Sequence, residues 1–323
     1  MRGTGEMGKI ADLVFLIRPP LLCASATFFF AGALSAARHA GGIYALSRIM
    51  EVLPNLGLFG LVVAAAFVLN QIFDVESDRA NKKAFLMPMG AVTRRQGVLV
   101  FAAVIASAVG LSFLFDRGVR YMAWLGLILG FLYSAPPVRL KGKAVLDMVA
   151  NVAGFGVVGF AMGWLAYAGM GMPLWIRSSP YALAMAGIFL NTCIPDEAGD
   201  RLAGDRTSCV VFGRSAVARW ALILTAAAAA VGILTGEMLC VLAVAASLPA
   251  LVAVSAEPDP ASSVVASQLA ARSLLVLVCV KAPVFAVITV AVYVASRAYY
   301  RRRFGVGYPR MEGAVETART SPL

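Results

Sequence analysis

Apolar residues run along this chain in long blocks, separated by short polar clusters. Nine blocks approach the roughly 20 residues that a helix needs to cross a bilayer. They lie near 10–37, 52–75, 97–115, 119–137, 144–168, 180–197, 215–235, 237–255 and 273–296. Few segments alternate apolar and polar residues as barrel strands do. The pattern therefore predicts an all-α, polytopic membrane bundle of about nine transmembrane helices. A tail at 1–9 precedes the membrane domain at 10–297, and a basic tail at 298–323 follows it. The first apolar run is interrupted by Arg18-Pro19-Pro20 and lacks a small-residue cleavage site, so no signal peptide is expected.

Composition supports this reading. Hydrophobic residues make up 60% of the 323 and charged residues 14%, with a mean hydropathy of +0.82. Ordinary soluble domains hold about 45–50% and about 25%. A soluble two-domain enzyme and a disordered chain are both excluded. The 28 basic residues exceed the 17 acidic ones, a net charge of +11. In this context the excess points to loops facing anionic membrane lipid rather than to nucleic acid, and no obligate protein partner is implied.

Counting Lys and Arg per loop sets the orientation. With the N-terminus inside, one face collects Arg79, Lys82, Lys83, Arg94, Arg95, Arg139, Lys141, Lys143, Arg201, Arg206, Arg214 and Arg219. The opposite loops hold only Arg38, Arg48, Arg117, Arg120 and Arg177. This predicts a multi-pass protein of the cell (inner) membrane whose basic face is cytoplasmic. Nine passes leave Arg297, Arg301, Arg302 and Arg303 outside, so either the tail departs from the rule or the helix count is off by one. The five cysteines are scattered without CxxC spacing, which predicts neither a disulfide framework nor a zinc site.

The acidic residues carry the chemistry. Seven of the 17 fall in two windows: Asp74, Glu76 and Asp78, then Asp196, Glu197, Asp200 and Asp205. A carboxylate at mid-bilayer costs roughly 2.5–3.5 kcal/mol on insertion scales, so such clusters default to function. Asn70, Asp74 and Asp78 stand at i, i+4 and i+8 on one helix face, and Asp196 and Asp200 repeat the step. Two acidic faces meeting at one end of a bundle would make an oxygen-rich site suited to Mg²⁺ completed by phosphate oxygens. Lys82, Lys83, Arg139, Lys141, Lys143, Arg201 and Arg206 stand around them, as a metal-bound diphosphate requires. Asp147 is expected either to orient a second substrate or to pair with Lys143. The small-residue run Gly154, Gly156, Gly159, Gly163 suggests close helix packing or a substrate groove.

The string Asn70-Gln71-Ile72-Phe73-Asp74-Val75-Glu76-Ser77-Asp78 resembles the first aspartate motif, NxxxDxxxD, of the UbiA-type intramembrane prenyltransferases. Asp196, Asp200, Gly204 and Thr207 resemble the second. Between them, Tyr133-Ser134-Ala135-Pro136-Pro137-Val138-Arg139-Leu140-Lys141 resembles the YSxPPxRxK segment, and Arg18-Pro19 matches another frequent feature. The resemblance implies a helical bundle around a central cavity open to lipid, capped on the cytoplasmic side. It implies Mg²⁺ held by Asp74, Asp78, Asp196 and Asp200, with a prenyl diphosphate bound through Asn70, Lys82, Tyr133, Arg139, Lys141 and Arg201. The implied reaction moves an isoprenoid chain to a lipophilic acceptor, such as a quinone or pigment precursor. Gln71 stands where many 4-hydroxybenzoate-prenylating members have Asp, and 53–69 contains no Lys or Arg. A carboxylate-bearing acceptor gripped from that helix is therefore not supported. A terpene cyclase on the same scaffold and a membrane transporter are the alternatives.

Overall fold

The computed structural model describes residues 6–41, 49–80 and 86–305. The first apolar run forms α1 (Glu6–Leu16) and α2 (Pro19–His39). The break falls at Arg18, which adopts φ 56°, and Pro19 then opens α2 where its missing N–H costs nothing. α3 spans Ile49–Ala80 and α4 spans Arg94–Ser112. Thr93 and Gln96 cap α4 reciprocally: the Gln96 N–H donates to Thr93 Oγ1 and the Thr93 N–H to Gln96 Oε1. α5 (Arg117–Ser134) leads through a loop to α6 (Leu146–Asn151). A π-helical stretch at Val152–Gly159 joins α6 to α7 (Phe160–Trp164), making one rod. α8 (Met172–Ala203) and the short α9 (Ser208–Phe212) follow. The chain ends in α10 (Arg214–Thr235), α11 (Met238–Ala256), α12 (Pro260–Lys281) and α13 (Pro283–Phe304).

Eight of the described helical segments are long and apolar enough to cross a membrane. α5 and α8 run between the same two ends, but α5 carries Arg117 and Arg120, and α8 carries several charges with Pro180 and Pro195 inside it. Exposed Ile223, Leu234, Val276, Val280, Val287 and Val290 cover the outside of the bundle, as a lipid-facing surface requires. Inside, Phe29, Phe30, Phe59, Phe160, Trp164, Tyr181 and Phe285 form an aromatic core. All five cysteines are free thiols.

One end of the bundle is tied by Glu237, which is fully buried. Its carboxylate accepts from Ser35 Oγ at 2.6 Å, Arg177 at 2.8 Å, Arg38 at 2.7 Å and Tyr181 Oη at 3.2 Å. These partners fasten α2, α8 and the start of α11. At the other end, buried Asp12 accepts from Tyr299 Oη and from Arg303, 3.0 Å away. The Phe15 ring stacks on Tyr299 with centroids 3.9 Å apart.

The last block, read as one span at 273–296, is two helices. Ala282 leaves the helical region and Pro283 opens α13, because proline cannot continue the ladder of α12. α13 therefore turns back along α2 and α1, from Phe285 beside Phe30 to Arg303 beside Asp12. The two ends of the described chain thus lie at the same end of the bundle. The helix count, not the charge rule, resolves the misplaced arginines: Arg297, Arg301, Arg302 and Arg303 join the other basic loops.

Two glycines let α2 and α7 touch through their backbones. A Cβ on Gly163 would stand 1.8 Å from the Phe29 carbonyl oxygen, and one on Gly32 would stand 1.9 Å from that of Phe160. Gly163→Val is expected to cost more than about 4 kcal/mol, in the exceptional range for one substitution. Gel filtration of detergent-solubilised protein should then show no folded species. Gly57→Ala, where nothing lies within 4 Å, should elute as the native protein does.

Candidate active site

Asn70, Asp74 and Asp78 share the face expected of their spacing on the last turns of α3. Asp74 accepts the Lys141 ammonium, and Asp78 is buried. Gln71 points the other way: its amide donates to the carbonyls of Leu16 at 2.7 Å and Phe67 at 3.1 Å. It clamps α3 to the break after α1 and takes no part in the opening that Asn70 faces.

Lys141 belongs to the loop between α5 and α6, and that loop is laced to the one after α8. Arg139 pairs with Asp205. The Arg206 N–H donates to the Gly142 carbonyl at 3.0 Å, and the Val145 N–H to Ser208 Oγ at 2.9 Å. A Cβ at 142 would lie 2.6 Å from Asp205 Oδ1, so a larger residue there would have to displace the carboxylate that pairs with Arg139. Asp147 is buried and accepts both the Ser208 N–H and the Ser208 hydroxyl at 2.7 Å. It therefore fastens α6 to the start of α9. Its oxygens are held by Ser208 and by the Met148 N–H at 2.7 Å, and no ion pair with Lys143 forms among the described residues.

These links bring the tips of α3 and α8 to one end of the bundle. Tyr133 stands between them: the Asn151 side chain hydrogen-bonds to its phenol, and Asp74 and Cys193 lie within its electrostatic reach. Cys193 in turn feels Asp196 and Asp200. Arg201 does not face this space. It pairs with Glu197 at 2.9 Å on the surface of α8, and Glu197 also binds Arg214. Lys82 and Lys83 lie outside the described residues.

Below the carboxylates a cavity of about 220 Å³ opens between α3, α5 and the π-helical stretch. Arg18, Asn70, Tyr133 and Asn151 form its polar mouth, and its remaining walls are apolar. Arg18 and Asn151 are not among the site residues that the sequence pattern predicts. Their signal was available: each is a polar side chain set in an apolar run. Among the described residues, the non-glycine positions with positive φ are Arg18, Arg139 and Val145. All three border this end, where strained backbone tends to gather at functional sites. The small-residue run divides its labour. Gly156 and Gly163 serve packing, while Gly154 faces open space in the cavity wall.

Among the described residues, no group of three or more His, Cys, Asp or Glu is placed to hold a metal ion on its own. Each aspartate pair supplies two carboxylates. That is the donor set of a hard cation such as Mg²⁺, which completes its shell with water and phosphate oxygens rather than an all-protein cage. The donor chemistry therefore fits.

Burial pushes the Lys141 ammonium below its ordinary 10.5, and the charge of Asp74 resists that shift. Removing the carboxylate removes the attraction that favours the charged form, so Asp74→Asn should lower it further. In a pH series with an amine-reactive reagent, Lys141 modification read by mass spectrometry should begin at lower pH in the variant. Unchanged onset would show that the pair is not formed in the membrane.

Comparison with known proteins places this arrangement. The UbiA prenyltransferase family matches residues 25–257. A lycopene elongase/hydratase from Haloferax volcanii is 30% identical over 251 residues, covering 71% of this chain and 76% of that protein. Homogentisate phytyltransferase from Synechocystis sp. is 27% identical over 164 residues, covering 48% of this chain and 53% of the relative. Against several such relatives the match spans only about half of their length. Among solved structures, a UbiA homologue from Archaeoglobus fulgidus bound to GPP and Mg²⁺ superposes with a TM-score of 0.59 at 19% identity. That likeness, a likeness of fold, covers 87% of this chain and 99% of the other.

Proposed function

This chain belongs to the UbiA prenyltransferase family, and from that premise we propose that it is an Mg²⁺-dependent intramembrane prenyltransferase. It transfers an isoprenoid chain from a prenyl diphosphate to a lipophilic acceptor, an aromatic quinone or pigment precursor. The observation that carries this reading is the convergence of two aspartate-bearing helix tips over an apolar cavity with a polar mouth.

Asp74, Asp78, Asp196 and Asp200 would hold Mg²⁺, which when bound would offset the negative charge on the leaving diphosphate. Lys141 and Arg139, with Lys82 from the segment after α3, supply the remaining positive charge. Asn70 and Tyr133 orient the diphosphate at the mouth. The allylic C–O bond breaks and its electron pair leaves with the diphosphate; the acceptor attacks the resulting carbocation and releases a proton, which the departing diphosphate takes up. The apolar walls keep water from that cation. No histidine base is required, and the one histidine, His39, lies at the far end against Trp164.

The basic loops support an orientation with this end of the bundle at the cytoplasmic face of the cell (inner) membrane. The lipid around the bundle is its solvent and the route by which both lipophilic substrates arrive. The catalytic body is taken as 10–297, although α13 runs on to Phe304 and its Tyr299 and Arg303 pack against α1.

Asp74→Ala and Asp200→Ala should each lower prenyl transfer in membranes by about 100-fold or more, the scale of losing a main charge-stabilising group. Membrane insertion should be unchanged, and chelation of divalent metal should reproduce the loss. The assay is mass spectrometry of products formed from prenyl diphosphates and a panel of ring and non-ring acceptors. Full activity in both variants would overturn the reading. A cyclic hydrocarbon formed from diphosphate alone would replace transfer by cyclisation, and substrate-independent solute flux in proteoliposomes would point to a transporter.

A further inference from the structure

α1 is too short to hold its place alone. It has 11 residues, below the about 12–15 at which an isolated helix is even marginal. Its continuity with α2 ends at Arg18, where the backbone turns left-handed. One side of α1 faces outward, with Ile10 63% and Val14 52% exposed. The other side is clasped by the last turns of α13. Asp12 accepts the Arg303 guanidinium as a fork, at 3.1 and 3.0 Å, and Tyr299 Oη donates to the same carboxylate. The Tyr299 ring lies parallel to that of Phe15, nearly one turn further along α1.

The clasped helix is what the first aspartate helix rests on. Gln71 is buried on α3 and donates to the Leu16 carbonyl at 2.7 Å. Leu16 of α1, Val68 and Ile72 of α3, Leu86 and Tyr300 of α13 share one buried apolar cluster. Asp74 and Asp78 stand about 4.5 and 10.5 Å beyond Gln71 along the axis of α3. The tip that carries them is thus held from one direction by Lys141 and from another by α1.

Resting on the prenyl-transfer reading above, we infer that Asp12 is a positioning residue: clasped by Tyr299 and Arg303, it docks α1 against α3 and so keeps Asp74 and Asp78 in place for the diphosphate. Asp12, Tyr299 and Arg303 all lie outside 25–257, the stretch that matches the family. The clasp is supplied by two segments that flank that stretch, 287 residues apart in the case of Asp12 and Tyr299.

Asp12→Asn keeps the size of the side chain and removes the charge that holds Arg303. α1 then undocks in part of the population, and the tip of α3 loses its support in those molecules. Where ligand binds only the docked form, the apparent dissociation constant is the intrinsic one divided by the docked fraction. A docked fraction of about one tenth weakens binding about tenfold, while saturating ligand draws every molecule back. Simple misfolding does the reverse: it removes binding sites and leaves the affinity of the rest unchanged.

The test is calorimetric titration of the full chain in nanodiscs with farnesyl diphosphate and Mg²⁺, which reads affinity and number of sites separately. Asp12→Asn and Arg303→Gln should each weaken binding about tenfold with the native number of sites. The double variant should bind no more weakly than either single one, since one interaction is lost once. Tyr299→Phe should weaken binding less, because the ion pair and the ring remain. Arg302→Gln removes the same charge from the neighbouring, exposed position and should bind as the native protein does. Hydrogen–deuterium exchange without ligand or metal should be about tenfold faster in Asp12→Asn over 70–80, and unchanged around Glu237. Native affinity in both Asp12→Asn and Arg303→Gln would overturn the inference. So would fewer sites of native affinity, losses that add in the double variant, or an equal loss in Arg302→Gln. Failure of the native protein to bind would instead count against the prenyl-transfer reading, and exchange over 70–80 would still decide whether the clasp holds α3.

Discussion

Asp74 and Lys141 come from segments 67 residues apart, and their ion pair holds the loop between α5 and α6 over the tip of α3. An unpaired charge at this depth in a bundle surrounded by hydrocarbon is costly. The pairing therefore fixes where the loop can lie. The same loop is bound by backbone and side chain to the segment after α8, through Gly142, Val145, Asp147 and their partners near Ser208. The second pair of aspartates is thereby brought to the end that holds the first. Without this lacing, α3 and α8 would be two acidic helices with no reason to share a site.

The two ends of the bundle use charge differently. At the far end the carboxylate of Glu237 is fully buried and is bound by two arginines, a serine and a tyrosine. A carboxylate so enclosed is committed to holding helices together. At the near end the side chain of Asp74 keeps 16% of its surface exposed and leans on one lysine whose own ammonium is disfavoured by burial. Such a pair can exchange partners when a more highly charged ligand arrives. The contrast separates a structural clasp from a binding site, although both are buried ion pairs on a membrane protein.

Below the near end the chemistry turns apolar within a few turns of α3. The polar mouth and the apolar wall below it lie on one helix, so their spacing is set by a single rigid element. Small residues on the facing elements make room for this. Gly126 and Gly130 let α5 approach α3 closely, whereas Gly154 leaves its space open.

Much of this was legible along the chain. The helical class, the basic face and the i, i+4 spacing of both aspartate pairs are local properties, set by the 3.6-residue turn and by what a bilayer tolerates. Choice of partner is not local. The sequence shows Arg201 and Asp147 beside the site, but only packing decides that Arg201 turns to Glu197 and that Asp147 binds Ser208. Gln71 sits next to Asn70 and yet points to a different helix, because a step of one residue turns a side chain about 100° around the axis. The break at Ala282, hidden inside one apolar run, sets the side on which the last arginines lie. Hydrophobicity alone reports length, whereas the return of α13 along α2 is fixed by contacts such as Phe285 on Phe30 and Arg303 on Asp12. The sequence by itself thus determined the helices and the groups they carry; the tertiary structure decided which of those groups meet, since each meeting joins residues far apart in the chain.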